Sequence, residues 1–151
     1  MKKHISLLLA HIILPVALVA QAQPRVLVVY YSQTGHTKTM AEAVARGAKL
    51  ATVILKTVSE ATSADVLAAD AIIVGSPVYN ANVAPEVQAF INRWPFDGSP
   101  LKDKIGAAFV TGGGISTGEE LVRVNILHSM LVFGMVVVGG PEWTSALVRR
   151  Q

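Results

Sequence analysis

The 151-residue chain contains no cysteine, and charged residues make up only 15% of it. It can therefore form no disulfide, no thiolate metal site and no cysteine nucleophile. The sequence also lacks G-x-x-x-x-G-K-[ST], and no predicted strand is followed by G-x-G-x-x-G, so the two common nucleotide-binding signatures are excluded. No acidic cluster follows the first predicted strand, which excludes a phospho-acceptor receiver. No serine, histidine and aspartate set has the spacing of a hydrolase triad.

The first 22 residues have the composition of a secretory leader. A basic start precedes an apolar stretch over residues 5–20, and Ala20 and Ala22 place small residues before a cleavage point. We predict a signal peptide over residues 1–22, a domain over residues 23–151, and export to the bacterial periplasm. The alternative is an uncleaved N-terminus that anchors the protein in the membrane, although the apolar stretch is short for a span.

The net charge depends on that leader. The whole chain carries +3, but residues 1–22 contain Lys2 and Lys3 and no acid, so the remainder carries +1. No basic stripe is left for nucleic acid, and we expect no nucleic-acid partner. The small charge also argues against the strongly acidic docking face that is typical of electron carriers.

A strand, a hydroxyl-rich turn and a helix start follow one another directly after Arg25. The apolar run Val26–Tyr30 predicts a buried parallel strand. The turn that follows would present free N–H groups and the positive end of a helix to an anion. One hydroxyl would suffice to cap the helix, so Ser32, Thr34 and Thr37 together favour a phosphate site over a plain strand-to-helix connection.

Strand and helix patterns alternate along the rest of the chain. The predicted strands are residues 25–31, 52–58, 71–74, 105–110 and 135–138. Helices are predicted over residues 37–48, from Pro85 onward, and from Thr117 to about Phe133. This alternation implies right-handed crossovers and a three-layer α/β/α fold with a five-stranded parallel sheet.

Two local patterns refine these helices. Met40, Val44 and Ala48 recur at helical spacing and predict the buried face of the first helix. Thr117 and Glu120 have the spacing of a capping box, which predicts the start of the last helix.

Three polar or glycine-rich turns follow apolar strands, at residues 32–37, 76–82 and 111–116. Ligands of open parallel sheets bind beyond the carboxyl ends of the strands, so we expect these turns to meet there. Together they could hold a phosphate at one end and a flat ring at the other. The alternative is that the second and third are ordinary turns, because asparagine and glycine are common turn residues.

At this point the chain resembles the flavodoxin-like superfamily, and within it the FMN-dependent NAD(P)H:quinone oxidoreductases of the tryptophan-repressor-binding-protein (WrbA) type. The resemblance covers about residues 26–140. It is carried by Tyr-Tyr-Ser-x-x-Gly-His at residues 30–36 and Asp-Ala-Ile-Ile-x-Gly-x-Pro at residues 70–77. The glycine-rich turn and the Gly134-Met135 pair before the last strand add to it.

The resemblance implies a flavodoxin-like strand order of 2-1-3-4-5 and FMN as cofactor. The first turn would hold the FMN phosphate, the second would line the isoalloxazine ring, and the third would contact its pyrimidine side through backbone groups. Thr34 would lie near the nicotinamide. The implied cofactor-binding residues are Ser32, Gln33, Thr34, Gly35, His36, Thr37, Pro77, Val78, Tyr79, Asn80, Thr111, Gly112, Gly113, Gly114, Ile115 and Ser116.

The implied activity is NAD(P)H dehydrogenase (quinone). A hydride would pass from NAD(P)H to flavin N5, and a quinone would then be reduced by two electrons. We name no catalytic or metal-binding residue, because the flavin would carry the chemistry. His36 would face the phosphate, but it fits a plain helix-start histidine equally well.

The chain departs from this family after the last strand. Members usually continue through a long loop and a final helix, and here we expect that helix to be lacking. Uncovered apolar surface would favour a homo-oligomer. Two other functions stay open, namely a flavodoxin-type electron carrier and a non-catalytic flavodoxin-like protein.

Overall fold

The computed structural model describes residues 22–114 and 117–139. Six strands are present in these ranges: β1 Arg25–Tyr30, β2 Thr52–Thr57, β3 Ala71–Tyr79, β4 Asn82–Val83, β5 Ile105–Thr111 and β6 Val136–Val137. The same ranges contain four helices: α1 His36–Gly47, α2 Ser63–Ala68, α3 Pro85–Ile91 and α4 Glu119–Val132.

Five of the strands form a parallel sheet in the order β2-β1-β3-β5-β6. Once the short β4 is set aside, this is the predicted 2-1-3-4-5 order, which is confirmed. β1 lies in the middle, where Val28 pairs with Leu55 on one side and with Ile73 on the other. The turn after β1 is therefore flanked by the ends of β2 and β3.

The sequence patterns did not predict β4. It pairs antiparallel with the end of β3 and so forms a hairpin, with Val78 opposite Val83 and Tyr79 opposite Asn82. The two turn residues, Asn80 and Ala81, have φ values of 50° and 61°. This two-residue turn with positive φ at both positions belongs to the type that suits tight hairpins.

Each face of the sheet has its own core. Leu27 and Val29 point to the face covered by α2, α3 and α4, whereas Val28 and Tyr30 point to the face covered by α1. Gly75 in β3 lies directly under the ring of Phe109, and a Cβ at this glycine would lie 2.1 Å from the ring. Close packing of β3 on β5 thus requires glycine here.

Three local predictions were wrong. Strand β3 continues to Tyr79 instead of ending at residue 74, so residues 76–79 of the predicted second turn lie within the strand. Met40 is 41% exposed and α1 instead buries Thr37 and Ala41, although Val44 of the predicted face does pack against the core. The capping box at Thr117 and Glu120 does not form: α4 begins at Glu119 after a left-handed Gly118, and no side chain caps it in the expected manner. The left-handed glycine moves the helix start beyond Thr117.

The face covered by α1 is only partly protected among the described residues. Ile105, Val136 and Val138 are 39%, 48% and 42% exposed at the β5–β6 side. The prediction of a missing final helix concerns residues 140–151, which lie outside the described ranges. Most of the predicted leader, residues 1–21, also lies outside them. Within the described ranges, no helix combines the length and apolar character that crossing a bilayer requires.

Candidate functional site

The three polar turns meet at the carboxyl edge of the sheet. The Thr37 and Thr111 hydroxyl oxygens lie 2.8 Å apart and join the first turn to the third. The Tyr79 hydroxyl donates to the Gln33 side-chain oxygen at 2.8 Å and joins the second turn to the first. Beyond the third turn, a Cβ at Gly118 would lie 2.8 Å from Ala81. Because Pro77 of the second turn segment also pairs with Thr111, all three turns are connected in pairs.

The first turn ends in an open helix N-terminus. Gly35, with φ 93°, precedes α1 and has no side chain to cap it, and no acid lies in the first helical turn. Thr39 is the first residue of α1 whose N–H makes a helical hydrogen bond, and it donates to the Gly35 carbonyl oxygen. The preceding amides and the positive helix end therefore favour an anion.

Two of the expected phosphate hydroxyls are engaged within the protein. The Ser32 hydroxyl oxygen accepts from the Gly35 N–H at 3.1 Å, which closes the turn on itself. Thr37 is only 2% exposed, and its hydroxyl bonds Thr111. Ser32 only accepts in its bond, so its O–H can still donate to a ligand, whereas the buried Thr37 hydroxyl is turned toward Thr111. The donors that the turn offers are therefore backbone amides and the Ser32 hydroxyl. His36 begins α1 and is exposed.

Aromatic rings line the second turn. The Tyr79 ring meets the Tyr31 ring edge-to-face, with centroids 6.3 Å apart and planes at 86°. The nearby Glu86 carboxylate, followed by burial and the adjacent Tyr79, raises the pKa of Tyr31 to about 12. Tyr31 thus keeps its proton at neutral pH and presents a neutral ring.

Ser76, at the start of the second turn segment, is fully buried. Its hydroxyl donates to the Pro77 carbonyl oxygen at 2.8 Å and accepts from the Ala84 N–H at 3.1 Å. It therefore ties the two strands of the hairpin together. Among the other predicted residues, Pro77 lies within β3 and pairs with Thr111.

The third turn is braced by Glu119, the first residue of α4. Its carboxylate accepts from the Thr117 N–H at 2.9 Å and from the Thr117 hydroxyl at 2.8 Å. Hydrogen bonds from its own N–H and from Thr117 lower the pKa of Glu119. The carboxylate also lies across Gly112, where a Cβ would come within 1.9 Å of it. Ile115 and Ser116, both predicted cofactor residues, lie outside the described ranges.

Two clefts open beside these turns. One, of about 490 Å³, is lined by the hairpin residues Val78, Tyr79 and Asn80 together with the start of α3. The other, of about 370 Å³, lies between Tyr31, Ser32 and the side chains of α3. The first cleft lies against the second turn, whereas the other lies beside the start of the first turn, at Tyr31 and Ser32.

Sequence reasoning missed the contributions of Glu86 and Glu119. Both lie in the first turn of a helix, where acidic residues are common for reasons of helix stability alone. No sequence pattern separates that role from bracing a ligand turn. Tyr31 lay within the recognised motif, but only the fold places it against Tyr79.

The strand order, the open helix N-terminus after β1 and the two adjoining turns define a flavodoxin-like fold with an anion-binding turn. Residues 55–148 match the family described as NADPH-dependent FMN reductase. The chain is 39% identical over 143 aligned positions to an NAD(P)H dehydrogenase (quinone) of Azorhizobium caulinodans, covering 78% of this chain and 71% of that protein. The chain therefore belongs to the NADPH-dependent FMN reductase family.

Two further similar proteins are named as flavodoxins. A flavodoxin of Aquifex aeolicus is 40% identical over 123 positions, which cover 79% of this chain and 66% of that protein. The solved flavodoxin, WrbA-like protein from Agrobacterium tumefaciens has a TM-score of 0.68 at 27% identity, with 76% of each chain covered. The fold predicted from the sequence is thus confirmed.

The two sequence alignments differ in their gaps. The quinone dehydrogenase alignment runs over 143 positions but uses only 78% of this chain, so part of it falls opposite gaps in this chain. The flavodoxin alignment of 123 positions uses 79% of the chain and so contains few gaps. Across the matched region, the chain is closer in length to the flavodoxin.

Proposed function

We propose that the protein is an FMN-dependent oxidoreductase that acts as an NAD(P)H dehydrogenase (quinone). The observation that carries this proposal is the uncapped N-terminus of α1, which adjoins the Ser32–Gly35 turn and is joined by side chains to two further turns. Family membership supports FMN as the cofactor, and the names of several relatives support NAD(P)H as donor and a quinone as acceptor.

The residues present fit an FMN phosphate and ring. The amides ahead of Thr39 have no side-chain cap, and His36 and Lys38 add donors or positive charge near them. Tyr79 offers a flat ring at the neighbouring turn, and Gly112–Gly114 leave main-chain groups accessible at the third. When bound, FMN supplies two-electron transfer between NAD(P)H and a quinone, and these residues would position it and exclude water.

An absorption spectrum of the purified protein tests the cofactor directly. We expect flavin bands that are bleached by NADH or NADPH under anaerobic conditions and restored by benzoquinone. Gly35→Val should weaken FMN binding, because a β-branched residue adopts φ 93° only with strain and therefore distorts the anion-binding turn. A protein that binds no FMN at micromolar concentration would contradict the proposal.

The second candidate is a flavodoxin-type electron carrier. It is favoured by the nearly gap-free alignment with the Aquifex flavodoxin. The charge of +1 outside residues 1–22 argues against it, because carriers usually present an acidic face. Stopped-flow mixing separates the two functions: a carrier should take electrons from a reduced protein donor and should not react with NAD(P)H.

The proposal includes export of a domain comprising residues 23–151, with residues 1–22 as a signal peptide. Its support is the basic start, the apolar stretch and the small residues before position 23. N-terminal sequencing of protein recovered from the periplasm should begin at Gln23. Recovery of the intact N-terminus in the membrane fraction would instead favour the anchored form.

We further propose a homo-oligomer. The exposed apolar side chains Ile105, Val136 and Val138 at the β5–β6 side support it, since contiguous apolar surface commonly marks an interface. Sedimentation analysis should show a dimer or larger species, and Val136→Asp should shift it toward monomer. A monomer at every concentration tested would contradict this part.

A further inference from the structure

We propose that Gln33 is a positioning residue that holds the Tyr79 ring in place for the flavin and so raises FMN affinity. The inference rests on the proposed function, since it assigns a role within the same site. It starts from one hydrogen bond, in which the Tyr79 hydroxyl donates to Gln33 Oε1 at 2.8 Å. The two residues are 46 positions apart and belong to different turns.

Two contacts fix the Tyr79 ring, and both come from the end of β1 and the turn after it. Tyr31 packs against the ring in a T-shaped arrangement with centroids 6.3 Å apart. Gln33 holds the hydroxyl at the far end of the same ring. A phenol ring with an aromatic contact beside it and a hydrogen bond at its tip loses most of its rotational freedom before any ligand arrives.

The hairpin turn that follows Tyr79 increases the need for a restraint on the Tyr79 ring. Asn80 and Ala81 both have positive φ, a conformation that costs free energy for residues other than glycine. The hairpin tip is supported on its other side by the close approach of Gly118 to Ala81. Gln33 provides the restraint on the side that faces the first turn.

This bond differs from the other side-chain link between the turns. Thr37 is only 2% exposed and meets Thr111 inside the fold, so that link stabilises the domain as a whole. The Gln33–Tyr79 bond lies at the surface, where its loss leaves the core intact. Its free energy therefore goes mainly into pre-organising the ligand site, which reduces the entropy that binding must remove.

The bond also orients the Gln33 amide. Because Oε1 accepts from Tyr79, the Nε2 group is left as the donor, and it carries two N–H bonds. Gln33 thus adds a side-chain amide donor to the backbone amides of the turn. A single residue serves the first turn directly and the second through Tyr79.

A double-mutant cycle tests the proposal with the full chain. FMN dissociation constants would be measured by fluorescence titration of the apoprotein for Gln33→Leu, Tyr79→Phe and the double variant. Each single change should weaken FMN binding about three- to tenfold. The double variant should bind FMN at most about twofold more weakly than the more affected of the two single variants, because both changes break one shared bond.

Two variants serve as matched controls. Gln88→Leu removes a glutamine whose side chain bonds Asn92 on α3, and Tyr30→Phe removes a phenol hydroxyl on the α1 side of β1. Both should leave the FMN dissociation constant within about twofold. The melting temperature of Tyr79→Phe apoprotein should stay near that of the wild type, whereas a merely structural role would lower it and leave FMN affinity unchanged.

The outcomes separate this inference from the proposed function. If the wild type binds FMN but the two single effects multiply in the double variant, the positioning role is overturned and the proposed function stands. If Tyr79→Phe leaves FMN affinity unchanged, the role is likewise overturned. If the wild type itself binds no FMN, the proposed function fails and this inference fails with it.

Discussion

The hydroxyl oxygens of Thr37 and Thr111 lie 2.8 Å apart although the residues are 74 positions apart in the chain. Thr37 is the second residue of α1 and Thr111 ends β5, so this bond fixes the first turn against the third. Because Thr37 is almost fully buried, water cannot replace its bond when Thr111 is replaced.

Thr37→Val and Thr111→Val should each lower the free energy of unfolding by about 1–2 kcal/mol, since each leaves a hydroxyl without a partner. The double variant should lose less than the sum of the two, because no unpaired hydroxyl remains. Urea denaturation measures all three. Strict additivity would show that the two hydroxyls act independently.

The contact of Gly75 with Phe109 gives a second prediction. Gly75→Ala would place a Cβ 2.1 Å from the Phe109 ring, and we expect a loss of about 1–3 kcal/mol in the free energy of unfolding. Phe109→Leu in the same background should recover part of it. As a control, Gly47→Ala at the end of α1 meets no atom within 4 Å and should be neutral or slightly stabilising. Equal losses from both glycine substitutions would rule out the steric explanation.

The strand order and the meeting of the turns could be predicted from the sequence because they depend on long apolar runs and on chain alternation. The unbroken apolar run Val26–Tyr30 in β1 and the one in β3 are typical of buried parallel strands. The carboxyl-edge rule then determines where the turns lie. These features depend on many residues, so no single local contact can reverse them.

The features that were missed depend on single backbone angles. The hairpin turn is Asn80-Ala81, and without glycine it lacks the signature by which such turns are recognised. The start of α4 follows from the left-handed Gly118, which no spacing pattern reveals. Which side of α1 is buried depends on its docking against β1, and Met40 and Ala41 are equally apolar in a sequence pattern.

That hairpin turn gives a third prediction. Ala81 has φ 61°, so Ala81→Gly should raise the free energy of unfolding by about 0.5–1 kcal/mol through relief of the left-handed conformation. The same substitution at the exposed helical Ala43 should lower it by about 0.5–1 kcal/mol. Thermal denaturation of the two variants should therefore shift in opposite directions. A downward shift for Ala81→Gly would show that the turn is not strained.

Asp65 gives the fourth prediction, which concerns pH. Its carboxylate bonds Lys56 at the sheet edge and the backbone of Thr62, and these bonds lower its pKa from 3.8 to about 2. Because the pKa is lower in the folded state than in the unfolded one, the ionised group stabilises the fold above about pH 4, and this contribution is lost as pH falls from about 4 to 2.

Melting temperatures of the wild type and Asp65→Asn measured from pH 7 to pH 2 should therefore converge at the acid end. Lys56→Met removes the largest cause of the pKa shift of Asp65. In the Lys56→Met background, the effect of Asp65→Asn on the melting temperature should therefore be smaller over the same pH range. The pair lies near the surface, so the difference between wild type and Lys56→Met should also shrink at high salt. A constant difference between wild type and Asp65→Asn at all pH values would show that the carboxylate titrates alike in the folded and unfolded states.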